Sequence, residues 1–197
     1  FADASGVDLS QFMLWYSQAG TPEIVVSGTH DARTKTFSME IAQTVPPTPG
    51  QSEKRPMPIP IAMGLLGPNG DQLPTRLEDE SEARSGTRVL VAASERQVFR
   101  FADVPAPPVP SLLRNFSAPV KLRGVPLVRL EFLPGHDTDR VARWDAGQQY
   151  ALRVLLRLLR KPIRRLVVEE LNRYSHGDDP NPLYRYRGQG GLGGLHN

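Results

Sequence analysis

From Glu23 to Leu133 the apolar residues recur at every second position in short runs, and the runs are broken by Gly, Pro, Asn and Asp. A period of two turns successive side chains to opposite faces, which suits β-strands that bury one face and wet the other. The runs predict strands at 23–27, 36–43, 59–66, 87–93, 96–101, 118–123 and 127–133. Phe37, Met39 and Ile41 alternate with polar neighbours, as do Ile59, Ile61, Met63 and Leu65, and Val128, Leu130 and Phe132 repeat the pattern. GPNGDQ after Leu66 and ASERQ before Val98 carry turn chemistry, which implies antiparallel neighbours rather than helical crossovers. The expected fold is therefore mainly β: an immunoglobulin-like antiparallel β-sandwich of about seven strands with flanking α-helices. Thr44 to Pro60 is expected as an extended connection, Glu78 to Gly86 as a mobile charged loop, and Ala102 to Pro110 as a Pro-rich crossing segment.

Outside that stretch the period becomes helical. Leu9, Phe12, Met13 and Tyr16 recur at three- and four-residue spacing, Asp8 can cap them, and Gly20 with Pro22 closes the segment. Their apolar face either packs on polypeptide preceding residue 1 or docks back on the end of the sandwich. After His136, Asp139 is a possible cap for a helix that places Val141, Trp144, Gln148, Ala151, Leu155 and Leu158 along one face until Pro162 interrupts it. A second helical piece is expected from Ile163 to Tyr174, and the Gly-rich remainder is expected as coil. The expected organisation is helix over 1–20, sandwich over 21–137, helical segment over 138–175 and tail over 176–197.

Composition narrows the setting. Only 39% of the 197 residues are hydrophobic and 19 are Pro, a balance that favours short strands and turns. The absence of Cys excludes disulfides and thiolate zinc ligands, and leaves a reducing cytoplasm as the expected location. The N-terminal residues do not read as a secretory leader, and no run approaches the roughly 18 consecutive apolar residues of a membrane span. The net charge of +3 sits mostly in the last third of the chain.

The residues for chemistry are sparse. A metalloprotease zinc site needs two His one helical turn apart with Glu between them, and His30, His136, His176 and His196 contain no such pair. Each is expected as a solvated loop residue. No GxSxG elbow positions a serine, and the Gly run from Gly188 has neither a preceding strand nor a following helix. RLLRKPIRR (Arg157 to Arg165) could meet phosphates, but its Leu and Ile fall at helical spacing and favour a solvated basic helix face together with a buried apolar stripe. Tyr184 and Tyr186 are weak candidates for base stacking. Trp15 and Trp144 flank the strand region and are expected to pack in a core or interface. No catalytic, cofactor-binding or metal-ligating residue is assigned.

Four long runs resemble the middle of the bacterial aminopeptidase N family of gluzincin zinc metallopeptidases. They are DLSQF with LWYSQAGTP (Asp8 to Pro22), QTVPPTPGQSEKRPMPIPIAMGL (Gln43 to Leu65), VPSLLRNFSAPVKL (Val109 to Leu122) and ARWDAGQ (Ala142 to Gln148). They occur in the family's order, and the likeness fades beyond about Leu159. The resemblance implies the third, immunoglobulin-like domain with the start of the C-terminal helical domain. It further implies a parent that removes N-terminal amino acids from peptides, whose zinc ligands lie upstream of this segment. This chain would be a non-catalytic structural piece, inactive alone, holding the catalytic and C-terminal domains apart, with peptide substrate met only through the parent and no nucleic acid or membrane expected. The alternative is a stand-alone interaction module whose basic helix contacts an acidic partner.

Overall fold

The computed structural model describes residue 6 and residues 8–175, with side chains described up to residue 160 and at Arg165. Two compact units are present, Phe1–Tyr150 and Ala151–Asn197.

In the first unit nine strands form two sheets. The larger sheet has the order β5-β7-β2-β1-β9, built from β1 (Glu23–Asp31), β2 (Thr36–Thr44), β5 (Arg76–Leu77), β7 (Arg96–Ala102) and β9 (Lys121–Arg123). The smaller centres on β3 (Ile59–Leu66), which pairs with β4 (Gln72–Leu73), β6 (Arg88–Ala92) and β8 (Val109–Leu112). Six of the seven expected runs lie within or overlap these strands. All pairings are antiparallel except β1 with β9, where Glu23, Ile24 and Val25 run parallel to Lys121, Leu122 and Arg123. β8 arises where a Pro-rich crossing was expected, because Val109 to Leu112 takes one edge of β3 at Met63 to Leu66.

The alternation does what its period requires. Phe37, Met39 and Ile41 of β2 and Ile59, Ile61, Met63 and Leu65 of β3 point into one buried cluster with Ile24, Leu90 and Phe101. Phe37 and Phe101 stack there with ring centroids 6.2 Å apart. A Cβ at Gly28 would stand 2.5 Å from the Phe37 ring, so β1 needs a bare position where that ring crosses it. Buried Gln43 ties the sheets together: its amide nitrogen donates to the carbonyls of Met57, Ala92 and Ser94, and its amide oxygen accepts from the Met57 N–H at 2.9 Å. Every polar atom of that side chain is thereby satisfied in a place where an unpaired amide would be costly.

The seventh run, Leu127 to Leu133, is a helix and not a strand. Pro126, at φ −61° and ψ 144°, opens α2 (Leu127–His136). Leu130 and Leu133, three apart, are buried while Val128 is exposed, so the three-residue spacing overrides the apparent alternation. Leu130 and Leu133 join Leu66, Val125 and Ala146 in a second, smaller cluster.

The N-terminal segment forms turns from Ser10 that close into a short helix α1 (Leu14–Ser17), rather than a helix over the whole of 7–16. Asp8 bonds Ser10 at both its N–H and its hydroxyl. The segment docks on the sandwich end: Leu14 enters the main cluster, Gln11 donates to the carbonyls of Pro56 and Ala93, and the Trp15 indole donates to the Pro58 carbonyl at 3.0 Å. Phe12, Met13 and Tyr16 remain exposed.

Asp139 does cap α3 (Arg140–Ser175), its carboxylate accepting from the Ala142 N–H at 2.8 Å. The helix runs on through Pro162 instead of breaking there; a proline removes one backbone donor, and its Leu-, Arg- and Lys-rich surroundings favour helix. Its buried residues in the first unit are Ala142 and Ala146, not the expected face, and Trp144 is exposed. In the second unit Leu152, Leu155, Leu156, Leu158 and Leu159 are also exposed, so among the described residues the leucines expected as a buried stripe beside the basic residues are not buried.

Candidate functional site

Two shallow grooves flank the Pro-rich connection. One, of about 420 Å³, is bounded by Gln43, Lys54, Arg55, Glu95 and Arg96 among others. The other, of about 480 Å³, shares Ser52 and Arg55 with it and is lined by Leu14, Gln18 and Gln51. The Lys54 ammonium is engaged by the Ala19 carbonyl, the Thr48 hydroxyl and the Gln51 amide oxygen, and Gln43 is committed to backbone. These grooves hold packing contacts rather than an activated nucleophile and its base.

His30 lies in β1, half-buried, with Nε2 2.9 Å from the Val104 carbonyl; His136 ends α2, its ring 4.1 Å from that of Phe132. Neither is in a loop, contrary to expectation: His30 is part of β1 and reaches Val104 outside it, and His136 stacks on Phe132 of its own helix. His176, His196, Tyr184, Tyr186 and the Gly run from Gly188 lie outside the described residues. Among the described residues no group of three or more His, Asp or Glu could hold a metal ion. The described residues therefore do not fit a zinc centre, and no reaction step is assigned to them.

The densest polar constellation is one that the sequence did not single out. Arg114 and Asp137 form an ion pair at 2.9 Å with side chains 1% and 0% exposed. Arg114 also donates to the Ser111 hydroxyl, the Gln72 amide oxygen and the Thr87 hydroxyl. A Cβ at Gly64 would overlap the guanidinium, which is why β3 carries a glycine beneath it. Asp137 Oδ1 accepts a second bond from the Asp139 N–H, and Asp139 Oδ1 accepts from both Asn115 and Ala142. Thr138 donates to the same Gln72 oxygen. The constellation joins β3, β4, the loop after β8 and the α2–α3 turn, with Arg114, Ser111 and Asp137 buried at its centre. Nearby Arg129 is half-buried as a residue, but its Nε is enclosed and has no hydrogen-bond partner. Burial pulls the Arg129 guanidinium down to about 10, against the opposing pull of Asp137. The available sequence signal was a lone arginine inside the apolar run Leu112, Leu113 and Phe116.

A second ion-pair group orders the Glu78 to Gly86 loop. Glu80 bridges enclosed Arg88 at 2.6 Å and Arg84 at 3.0 Å and accepts from the Leu77 N–H. The Arg88 hydrogen bond, then the Leu77 N–H, hold its carboxyl below the usual value.

Around this frame stand exposed aromatics. Phe116 is 74% and Trp144 64% exposed, and both lie on elements that meet at the Arg114–Asp137 constellation. Arg153, Arg157 and Arg160 lie on α3 beyond them, with Arg157 and Arg160 exposed. No helix among the described residues is long and apolar enough to cross a membrane.

Two sheets stacked over one apolar cluster define an immunoglobulin-like β-sandwich domain. The family described as "Domain of unknown function (DUF3458) Ig-like fold" matches residues 20–124, and the chain belongs to that family. It is similar to Aminopeptidase N of Escherichia coli, at 40% identity over 74% of this chain and 16% of that protein. Aminopeptidase N of Caulobacter vibrioides matches at 41% over 79% of this chain and 17% of its own length. Among solved structures, Legionella pneumophila aminopeptidase A in complex with aspartic acid matches with a TM-score of 0.61 at 30% identity, over 76% of this chain and 15% of that one. The chain thus spans about a sixth of the aminopeptidases it matches, and it is an immunoglobulin-like domain of the aminopeptidase N family.

Proposed function

We propose that this domain is a non-catalytic spacer in a zinc aminopeptidase, holding the catalytic domain and the C-terminal helical domain in a fixed relation. Residues 1–20 would come from the end of the catalytic domain, 21–137 would be the sandwich, 138–175 would begin the helical domain, and 176–197 would be a tail. The parent would use zinc, bound outside this chain, to remove N-terminal residues from peptides in the cytoplasm. Peptide would be met only through the parent, without nucleic acid or membrane.

The observation that carries this reading is the pairing of a densely hydrogen-bonded interior with large apolar residues left bare at both flanks: Phe12, Met13 and Tyr16 before β1, Phe116 and Trp144 near the α2–α3 turn. Bare aromatics beside a tightly hydrogen-bonded frame suit contact with further protein. The test compares Phe116→Ser with Trp144→Ser in the isolated chain and in the longer polypeptide that carries it. The isolated chain should keep its urea midpoint, while the longer protein loses thermal stability or kcat/KM. Equal effects in both would contradict the reading.

A further inference from the structure

The Arg114–Asp137 pair is costly. Both charges are withdrawn from water, Asp137 Oδ2 and the nearby Arg129 Nε have no hydrogen-bond partner, and desolvation of such groups consumes most of what their attraction returns. The backbone around it is costly too. Leu113, Asn115 and Phe116 sit at φ 56°, 51° and 57°, left-handed values that asparagine tolerates but leucine and phenylalanine do not favour. Such values persist only where the surroundings over-determine them, and here they are held by Arg114 between them and by the Asn115 N–H on Asp139. Apolar side chains of similar volume at 114 and 137 would leave the domain as stable or more so.

Adhesion between the sandwich and α2–α3 has a separate source, the cluster of Leu66, Val125, Leu130, Leu133 and Ala146. Apolar contacts of that kind are non-directional and tolerate sliding. The ionic constellation is directional: Arg114 has four partners on four segments, Gln72 in β4, Thr87 just before β6, Ser111 in β8 and Asp137 in the α2–α3 turn. Asp137 and Asp139, two residues apart in the α2–α3 turn, each grip both the sandwich side and the helical side.

We propose that the Arg114–Asp137 pair is an orientation lock: it selects one angle at which the α2–α3 turn sits on the sandwich, while the apolar cluster supplies the adhesion. The purpose of a fixed angle rests on the spacer reading, but the lock is testable in this chain alone, so either can fail without the other.

The chain has no cysteine, so two introduced ones are unique labelling sites. Exposed Ser27 in β1 and exposed Gln148 in α3, both in the first unit, would carry spin labels for pulsed dipolar distance measurement on the full chain. The parent sequence should give one narrow distance peak. The double variant Arg114→Met with Asp137→Leu should keep or raise the urea midpoint and yet widen the peak at least twofold or split it. Leu130→Ala, which weakens adhesion only, should lower the midpoint and leave the width unchanged. A double variant with a peak as narrow as the parent's would overturn the lock. So would a double variant with a much lower midpoint, since the pair would then be supplying stability, or a Leu130→Ala peak as broad as the double variant's.

Discussion

At the scale of single residues, the cost of a charge depends on what remains when its partner is removed. Asp137→Ala leaves the enclosed Arg114 guanidinium without its carboxylate, and should lower stability by about 3–5 kcal/mol in urea titration. Arg129 behaves oppositely. Its folded value near 10 lies below its ordinary one, so the folded state holds fewer protons than the unfolded one between the two values. The penalty is therefore complete below about pH 10 and is relieved only as pH climbs toward the unfolded value. At pH 7 Arg129→Met should raise stability, by an amount on the order of 1 kcal/mol. Glu80 carries an acid dependence of the familiar sign. Its folded carboxyl is held below the ordinary 4.5, so its contribution is present above that value and lost as pH falls through the lower folded one. Glu80→Gln should flatten the acid limb of the stability–pH curve at that step, and an unchanged limb would show that the Arg88 pairing is inconsequential.

At the scale of elements, two side chains finish what backbone pairing leaves undone. Ser117 accepts from the Ala62 N–H at 2.9 Å and donates to the Pro60 carbonyl, serving β3 where β8 has ended. Ser117→Ala leaves an enclosed N–H unpaired and should cost about 1–3 kcal/mol. Asp139→Ala removes the cap of α3, should cost about 1 kcal/mol, and should show as faster exchange of the Ala142 amide. The same elements show what the sequence made legible. β2 could be read residue by residue because its alternation is imposed by one buried face, and Asp139 because a cap is a local interaction; β3, expected to wet one face, is buried on both, since Arg114 covers Gly64 and Leu66 enters the second cluster. Leu127 to Leu133 misled because its apolar residues satisfy both a period of two and a spacing of three; Pro126 and the second cluster decide between them. β8, and the parallel pairing of the expected strand β9, depend on distant partners, Met63 to Leu66 and Glu23 to Val25, which no local pattern encodes. The polar constellation was illegible for the same reason: Gln72 and Arg114 are 42 residues apart, and Arg114 and Asp137 are 23 apart.

At the scale of the whole molecule, the account is of a domain whose interior is closed and whose flanks are open. The main cluster fastens the two sheets, Gln43 ties them at one end, and Arg114 with Asp137 fastens the α2–α3 turn to the sandwich. Family membership and the one-sixth span place the same domain inside much longer aminopeptidases. On the proposed reading the domain supplies geometry and breaks no bonds itself. The direct measurement is hydrolysis of an aminoacyl amide by the purified chain with zinc added. The account predicts release no faster than in zinc-containing buffer alone. Hydrolysis that stays with the chain through purification to homogeneity and disappears when it is unfolded would contradict it.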